Sequence, residues 1–370
     1  MNRSLQLRVI ACAAAWASMH ALPAAAETSS WSTRTDPTEQ PATIRKAPVA
    51  PPKGASKAGK LGPQLKSDPL SKFKPRSAAP GAAPLDQTAE DAAYLAFDQG
   101  RYLTALDLAE RRAALGDAAA HTLVARIYAE GLGVDKDEIT AARWYARGAE
   151  LEDTEAAFAL GVLLAEGRGV EKDRTAAGQM FEKAALRGHA YAHYNLALLF
   201  LHGEGKPENP YRAAQHLAFA AERGIAAAQY DLAALYQKGH GVKPDAYEAA
   251  RWMRRAAEQG MSEAEYDYAV MLLRGLGINA DMPKAIEYLR VAANKGIAGA
   301  QNRLAHLIAE GQRLERNMVD AAKWRLLARE AGIKDEALDK LVARLSRADT
   351  AAAEKAAQDW REKSALELPQ

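Results

Sequence analysis

The stretch GLGVDKDEITAARWYARGAE, Gly131–Glu150, is written again with substitutions as GHGVKPDAYEAARWMRRAAEQG, Gly239–Gly260, three steps of 36 residues further on. Working outward, the same period runs through six copies. The alanine that opens a helical segment recurs as Ala120, Ala156, Ala192, Ala228, Ala264 and Ala300. The first loop glycine recurs as Gly131, Gly167, Gly203, Gly239, Gly275 and Gly311, without an insertion. A second glycine follows two residues later, as Gly133, Gly169, Gly205, Gly241 and Gly277, and the last copy carries Arg313 there. A fixed period of this size marks a solenoid, in which one repeat cannot bury its own apolar face and stacking creates the core.

Each column has a physical reason. Apolar residues at helical spacing, such as Val124, Ile127 and Tyr128 or Leu196, Leu199 and Phe200, make the first half of a repeat an amphipathic helix. Gly-x-Gly then supplies the positive φ that stops a helix and turns the chain back. The column Asp137, Asp173, Asn209, Asp245, Asp281 and Asn317 accepts hydrogen bonds from the amides of a starting helix. Such N-caps are worth about 1 kcal/mol each against alanine. Four residues beyond each cap stands an alanine (Ala141, Ala177, Ala213, Ala249, Ala285, Ala321), and seven beyond stands a bulky group (Trp144, Met180, His216, Trp252, Tyr288, Trp324). Small against large allows close helix crossing with one anchor per repeat. Truncating Trp252 to alanine is expected to cost on the order of 3–5 kcal/mol. Gly188, Gly224, Gly260, Gly296 and Gly332 mark the end of the second helix, with Glu152 in the first copy.

On these residues the chain resembles the Sel-one-like repeat family, a relative of tetratricopeptide repeats. The resemblance implies an all-α fold, a right-handed α-solenoid of antiparallel helix pairs, with repeats at 118–153, 154–189, 190–225, 226–261, 262–297 and 298–333. Residues 88–117 resemble a tetratricopeptide starter repeat lacking the Gly-x-Gly loop. Residues 334–364, charged and non-repeating with Leu338, Leu341, Val342 and Leu345 on one face, read as a C-terminal helical cap.

At the start of the chain, Arg3 and Arg8 precede the apolar stretch Val9 to Met19, and Ala24, Ala25 and Ala26 follow at signal-peptidase positions. Residues 1–26 are expected to be a signal peptide cleaved after Ala26, placing the protein in the periplasm. The membrane is met only through that peptide before cleavage. Cys12 is the only cysteine, so the exported chain would have no disulfide, thiol nucleophile or cysteine metal site. Some exported relatives in the family staple each repeat with a disulfide, and this chain departs from them. Residues 27–86 hold ten of the sixteen prolines and ten Lys or Arg against five Asp or Glu. That composition predicts a disordered, basic linker, able to contact peptidoglycan or an anionic envelope polymer. A net charge of +2 gives no case for nucleic acid.

Chemistry is sparse. The tightest histidine group is His189, His193 and His202, but His189 falls in the inter-repeat column of Asp117 and Asp153, and no metal site is assigned. His216, in the Trp column, reads as a packed substitute. Ser71-Lys72-Phe73-Lys74 has the Ser-x-x-Lys form without its partner motifs. The Gly-x-Gly pairs follow helices rather than strands, so they are not nucleotide loops. No catalytic residue and no cofactor is assigned.

A binding surface is easier to argue. If the first helices line a concave side, as in related solenoids, the groove-facing residues are Phe158, Tyr194, Tyr230 and Tyr266 in one column and Val162, Leu198, Ala234 and Val270 in another, with Tyr191 and Leu201 in the third repeat. The site expected to bind a partner is Phe158, Tyr191, Tyr194, Leu198, Leu201, Tyr230 and Tyr266. Packing against neighbouring helices is the competing role for the tyrosine column. The expected partner is an envelope or periplasmic protein, and the runner-up is cell-wall glycan.

Overall fold

The computed structural model describes residues 90–311 and 313–367. The expected signal peptide and the linker at 27–86 lie outside them. Among the described residues there are sixteen α-helices and no strand, in two compact units. The first unit holds α1 (Glu90–Asp98), α2 (Tyr102–Ala114), α3 (Ala118–Glu130), α4 (Glu138–Glu150), α5 (Thr154–Glu166), α6 (Arg174–Ala185), α7 (Ala190–His202) and α8 (Pro210–Glu222). The second holds α9 (Ala226–Lys238), α10 (Ala246–Glu258), α11 (Ser262–Arg274), α12 (Met282–Asn294), α13 (Ala298–Glu310), α14 (Met318–Glu330), α15 (Glu336–Val342) and α16 (Arg347–Glu367). Within each unit consecutive helices up to α14 pack in pairs and each pair packs on the next, while α15 and α16 each contact α14.

The repeat columns set these boundaries. Asp137, Asp173, Asn209, Asp245, Asp281 and Asn317 each cap a second helix, accepting backbone N–H bonds at 2.9–3.1 Å. The first loop glycine ends every first helix in the left-handed conformation. The first helices begin differently in the two units. Asp117, Asp153 and His189 cap α3, α5 and α7 with their side chains, whereas Ile225, Met261 and Ile297 give α9, α11 and α13 no side-chain cap.

Packing explains the remaining columns. The helix-crossing alanines are fully covered, and the tryptophans beside them are buried: Trp144 at 1% exposure, Trp252 at 3% and Trp324 at 6%. Met180, His216 and Tyr288 in that column are half-buried. One residue further along the helix, Phe181, Leu217, Met253 and Leu289 form the innermost row, fully covered, and Tyr145 at 8% exposure stands in their column. The second loop glycine has a stronger reason than its turn. A Cβ on Gly169 would lie 2.2 Å from the Glu138 carbonyl oxygen, and one on Gly205 2.2 Å from that of Arg174. Each glycine lets its loop press on the first residue of the preceding second helix.

The C-terminal segment makes two helices, not one face. Leu338 is buried, Leu341 is exposed and Val342 is half-buried on the short α15, and half-buried Leu345 lies beyond its end, in the turn to α16. Docking of α16 on α14 instead uses Ala353, Ala357 and Trp360, whose ring meets Trp324 edge-on at 6.4 Å.

Candidate partner-binding surface

The column of Phe158, Tyr194, Tyr230 and Tyr266 is continued at the two ends by Thr122 and Asn302. In three repeats its side chain reaches the residue that caps the next helix pair. Thr122 Oγ1 donates to Asp153 Oδ1 at 2.8 Å, the Phe158 ring stacks on His189 at 4.3 Å, and Asn302 Nδ2 donates to Asp335 Oδ2 at 2.8 Å. Tyr230 Oη donates to Asp267 Oδ2 at 2.8 Å, and burial, then the Asp267 charge, pushes its pKa up. Tyr266 lies over Gly299, where an added Cβ would stand 2.9 Å from its Cζ. Within each unit the column therefore stitches one repeat to the next.

This narrows the expected site. Phe158, Tyr194, Leu198 and Tyr266 are buried at 3–6% exposure, so they offer a partner almost no surface. Tyr230 is half-buried and held by Asp267. Tyr191 and Leu201, both on α7, keep partly exposed side chains. The Tyr191 ring sits 6.3 Å from both the Phe158 and His189 rings, so it borders the stitch without being enclosed by it.

The histidines are arranged differently from their sequence grouping. His189 caps α7, with Nδ1 accepting the Ala192 N–H at 3.1 Å and Nε2 facing Glu155 Oε1 at 3.2 Å. That hydrogen bond holds the Glu155 carboxyl below its usual range, against the opposing effect of burial. His202 is exposed. His193 pairs with His216 across α7 and α8, Nδ1 to Nδ1 at 2.9 Å, and its Nε2 lies 3.1 Å from the Ala185 carbonyl. A carbonyl only accepts, so neutral His193 carries its proton on Nε2 and takes the His216 Nδ1–H on Nδ1. Burial, and then His216, lower the His193 pKa to about 4. Among the described residues no group of three His, Cys, Asp or Glu is placed to hold a metal ion.

One residue that sequence reading passed over is Arg325. It stands in the innermost row of Phe181, Leu217 and Leu289, and is 1% exposed. Its guanidinium makes a bidentate pair with Asp339 at 2.7 and 2.8 Å and donates to Asn302 Oδ1 and the Ile333 carbonyl. The signal was in the column, as one cation among apolar residues. The sixth repeat exchanges packing for a polar socket that receives the C-terminal helices.

The family model for the Sel1 repeat matches residues 118–153, 154–189, 190–225, 226–261, 262–297 and 298–333. The chain belongs to the Sel1 repeat family. Among solved structures, it is similar to a protective antigen of uropathogenic Escherichia coli strains displaying an SLR fold, with 28% identity and a TM-score of 0.64. That match covers 74% of this chain but 61% of the antigen, so the chain spans under two thirds of its length. A Sel1 repeat protein from Oxalobacter formigenes also matches with 28% identity and a TM-score of 0.58, over 68% of this chain and 99% of that one. No curated protein matches. Sel1 repeat proteins generally mediate protein–protein interaction, and the Sel1 scaffold is generally non-catalytic.

Proposed function

We propose that this Sel1 repeat protein is an exported, non-catalytic interaction scaffold of the cell envelope. It holds a partner protein in the periplasm, in envelope assembly or in signalling regulation such as control of a sensor or of exopolysaccharide synthesis. The observation that carries this reading is the division of labour between columns. Shared columns are taken up by capping and stacking, while Tyr191, whose counterparts include Ala119, Glu155 and Gly299, stays partly exposed beside Leu201. An aromatic ring carried by this repeat alone, partly exposed at the edge of the packed core, is a natural anchor for a partner. Arg3, Arg8, the apolar run after them and the small residues up to Ala26 support export.

A second reading, binding of cell-wall glycan or an accessory role in peptidoglycan turnover, is favoured by the basic excess of residues 27–86. Affinity capture from envelope extracts separates the two. A stoichiometric protein partner that is lost in a Tyr191→Glu, Leu201→Glu double variant of unchanged melting temperature supports the scaffold. Retention on insoluble peptidoglycan alone would sink it.

A further inference from the structure

The sixth repeat breaks the Gly-x-Gly rule at Arg313, and the break coincides with a depression. In the fifth repeat the corresponding Gly277 lies so near the start of α10 that a Cβ there would be 1.9 Å from the Ala246 carbonyl oxygen. Arg313 carries that Cβ, so its loop cannot press on the start of α12 at the same spacing. Arg313 and the first residues of α12, Met282, Pro283 and Lys284, line a depression of about 550 Å³. This volume lies within the range of ligand sites, about 300–1,000 Å³. Leu272, Leu273, Ile278 and Met282 give it an apolar floor, to which Tyr268 contributes a ring.

Two features bear on what it takes. Arg313 holds φ at 57°, a left-handed backbone that costs a side-chain-bearing residue about 1–2 kcal/mol. Strain kept at an exposed cation fits a binding role better than a folding role. Among the described residues, neither the Arg313 nor the Lys284 side chain has an ion-pair partner. Among the described lining residues Asp281 is the one carboxylate; its Oδ1 caps α12 through the Lys284 N–H at 3.1 Å, and the lining keeps one net positive charge. Two unpaired cations above an apolar floor complement an anionic group joined to an apolar one. Asn279, Ala280 and Pro283 are exposed, so the outer side is open, as suits a segment lying across it rather than an enclosed acyl chain.

We infer that this depression docks a peptide segment in which an acidic side chain stands beside large apolar ones. The site shares no residue with the Tyr191 and Leu201 surface and stands whether or not that surface meets a partner. The experiment is an array of hexapeptides, each placing one Glu or Asp beside Leu, Ile or Phe in a neutral background, probed with the full chain. Acidic–apolar members should bind at least tenfold more strongly than Gln-for-Glu matched peptides, and the Arg313→Ala, Lys284→Ala double variant should lose that preference. Arg313→Gly, which lets the loop close, should lose it too while melting at or above the parent temperature. Equal binding of the matched peptides overturns the inference, as does full binding by the double variant with an unchanged melting curve. Binding of decanoate with no peptide bound assigns the depression to a fatty acid and also overturns it.

Discussion

His193 shows how one side chain ties pH to stability. Its folded pKa, about 4, lies below the roughly 6.5 of an unfolded histidine, so its contribution is complete above pH 6.5 and is lost as pH falls towards 4. Arg223 and His189 add to the lowering; beside it His216 is held down by burial and Arg212, with Glu182 opposing. Gln301 occupies the same column and donates Nε2–H to the Ala293 carbonyl at 3.1 Å, so His193→Gln keeps the donor and removes the titration. The melting temperature of the wild type should fall relative to that of His193→Gln between pH 7 and pH 4.5, and parallel curves would refute this. Glu152 offers a second test. It takes φ 69° where the other repeats have glycine, and its ion pair with Arg187 is largely exposed. Glu152→Gly should therefore raise stability by about 0.5–1 kcal/mol in urea denaturation, the relief of strain exceeding the added chain entropy.

At the scale of elements, neighbouring helix pairs are matched by charge as well as shape. Glu138 at the start of α4 accepts two hydrogen bonds from Arg168 in the next Gly-x-Gly loop, at 2.7 and 3.0 Å. One repeat later the signs are exchanged, with Arg174 at the start of α6 paired to Glu204. A slip by one repeat would set Glu138 against Glu204, so the pairs specify register. Arg168→Glu should cost about 1 kcal/mol, and adding Glu138→Arg should recover part of it in a double-mutant cycle, since Glu166 and Lys136 then face like charges. At the other end, Arg325→Leu restores the apolar row but removes the socket for Asp339. Losing those charge-assisted bonds should weaken docking by about 2 kcal/mol, read as faster hydrogen exchange in α15 and α16 with α13 little changed. Much of this level was legible in the sequence, because caps, turns and crossing alanines act within their own repeat. The reason for the second glycine was not, since it depends on where the preceding repeat places the Glu138 carbonyl. The choice between groove and packing for Phe158 and Tyr266 was not legible for the same reason: spacing along one helix does not show that a ring reaches across to the next repeat. His193 and His216, 23 residues apart, meet only once α7 and α8 have packed.

For the whole molecule, the two kinds of column predict two kinds of failure. Residues shared by the repeats hold the stack, so damage to them should appear as lost stability. Residues that the repeats do not share should carry recognition, so damage there should leave the stack intact. Leu217, fully covered in the innermost row, represents the first kind, and Tyr191 with Leu201 the second. Leu217→Ala should cost about 2–5 kcal/mol. The most direct measurement takes the melting temperature and the affinity for the captured envelope partner on the same preparations of wild type, Leu217→Ala and Tyr191→Glu, Leu201→Glu. The expected result is a crossing, in which Leu217→Ala melts earlier yet binds normally below its transition, and the double variant melts normally yet does not bind. A double variant that melts and binds like the wild type would contradict the assignment of recognition to the unshared residues of α7.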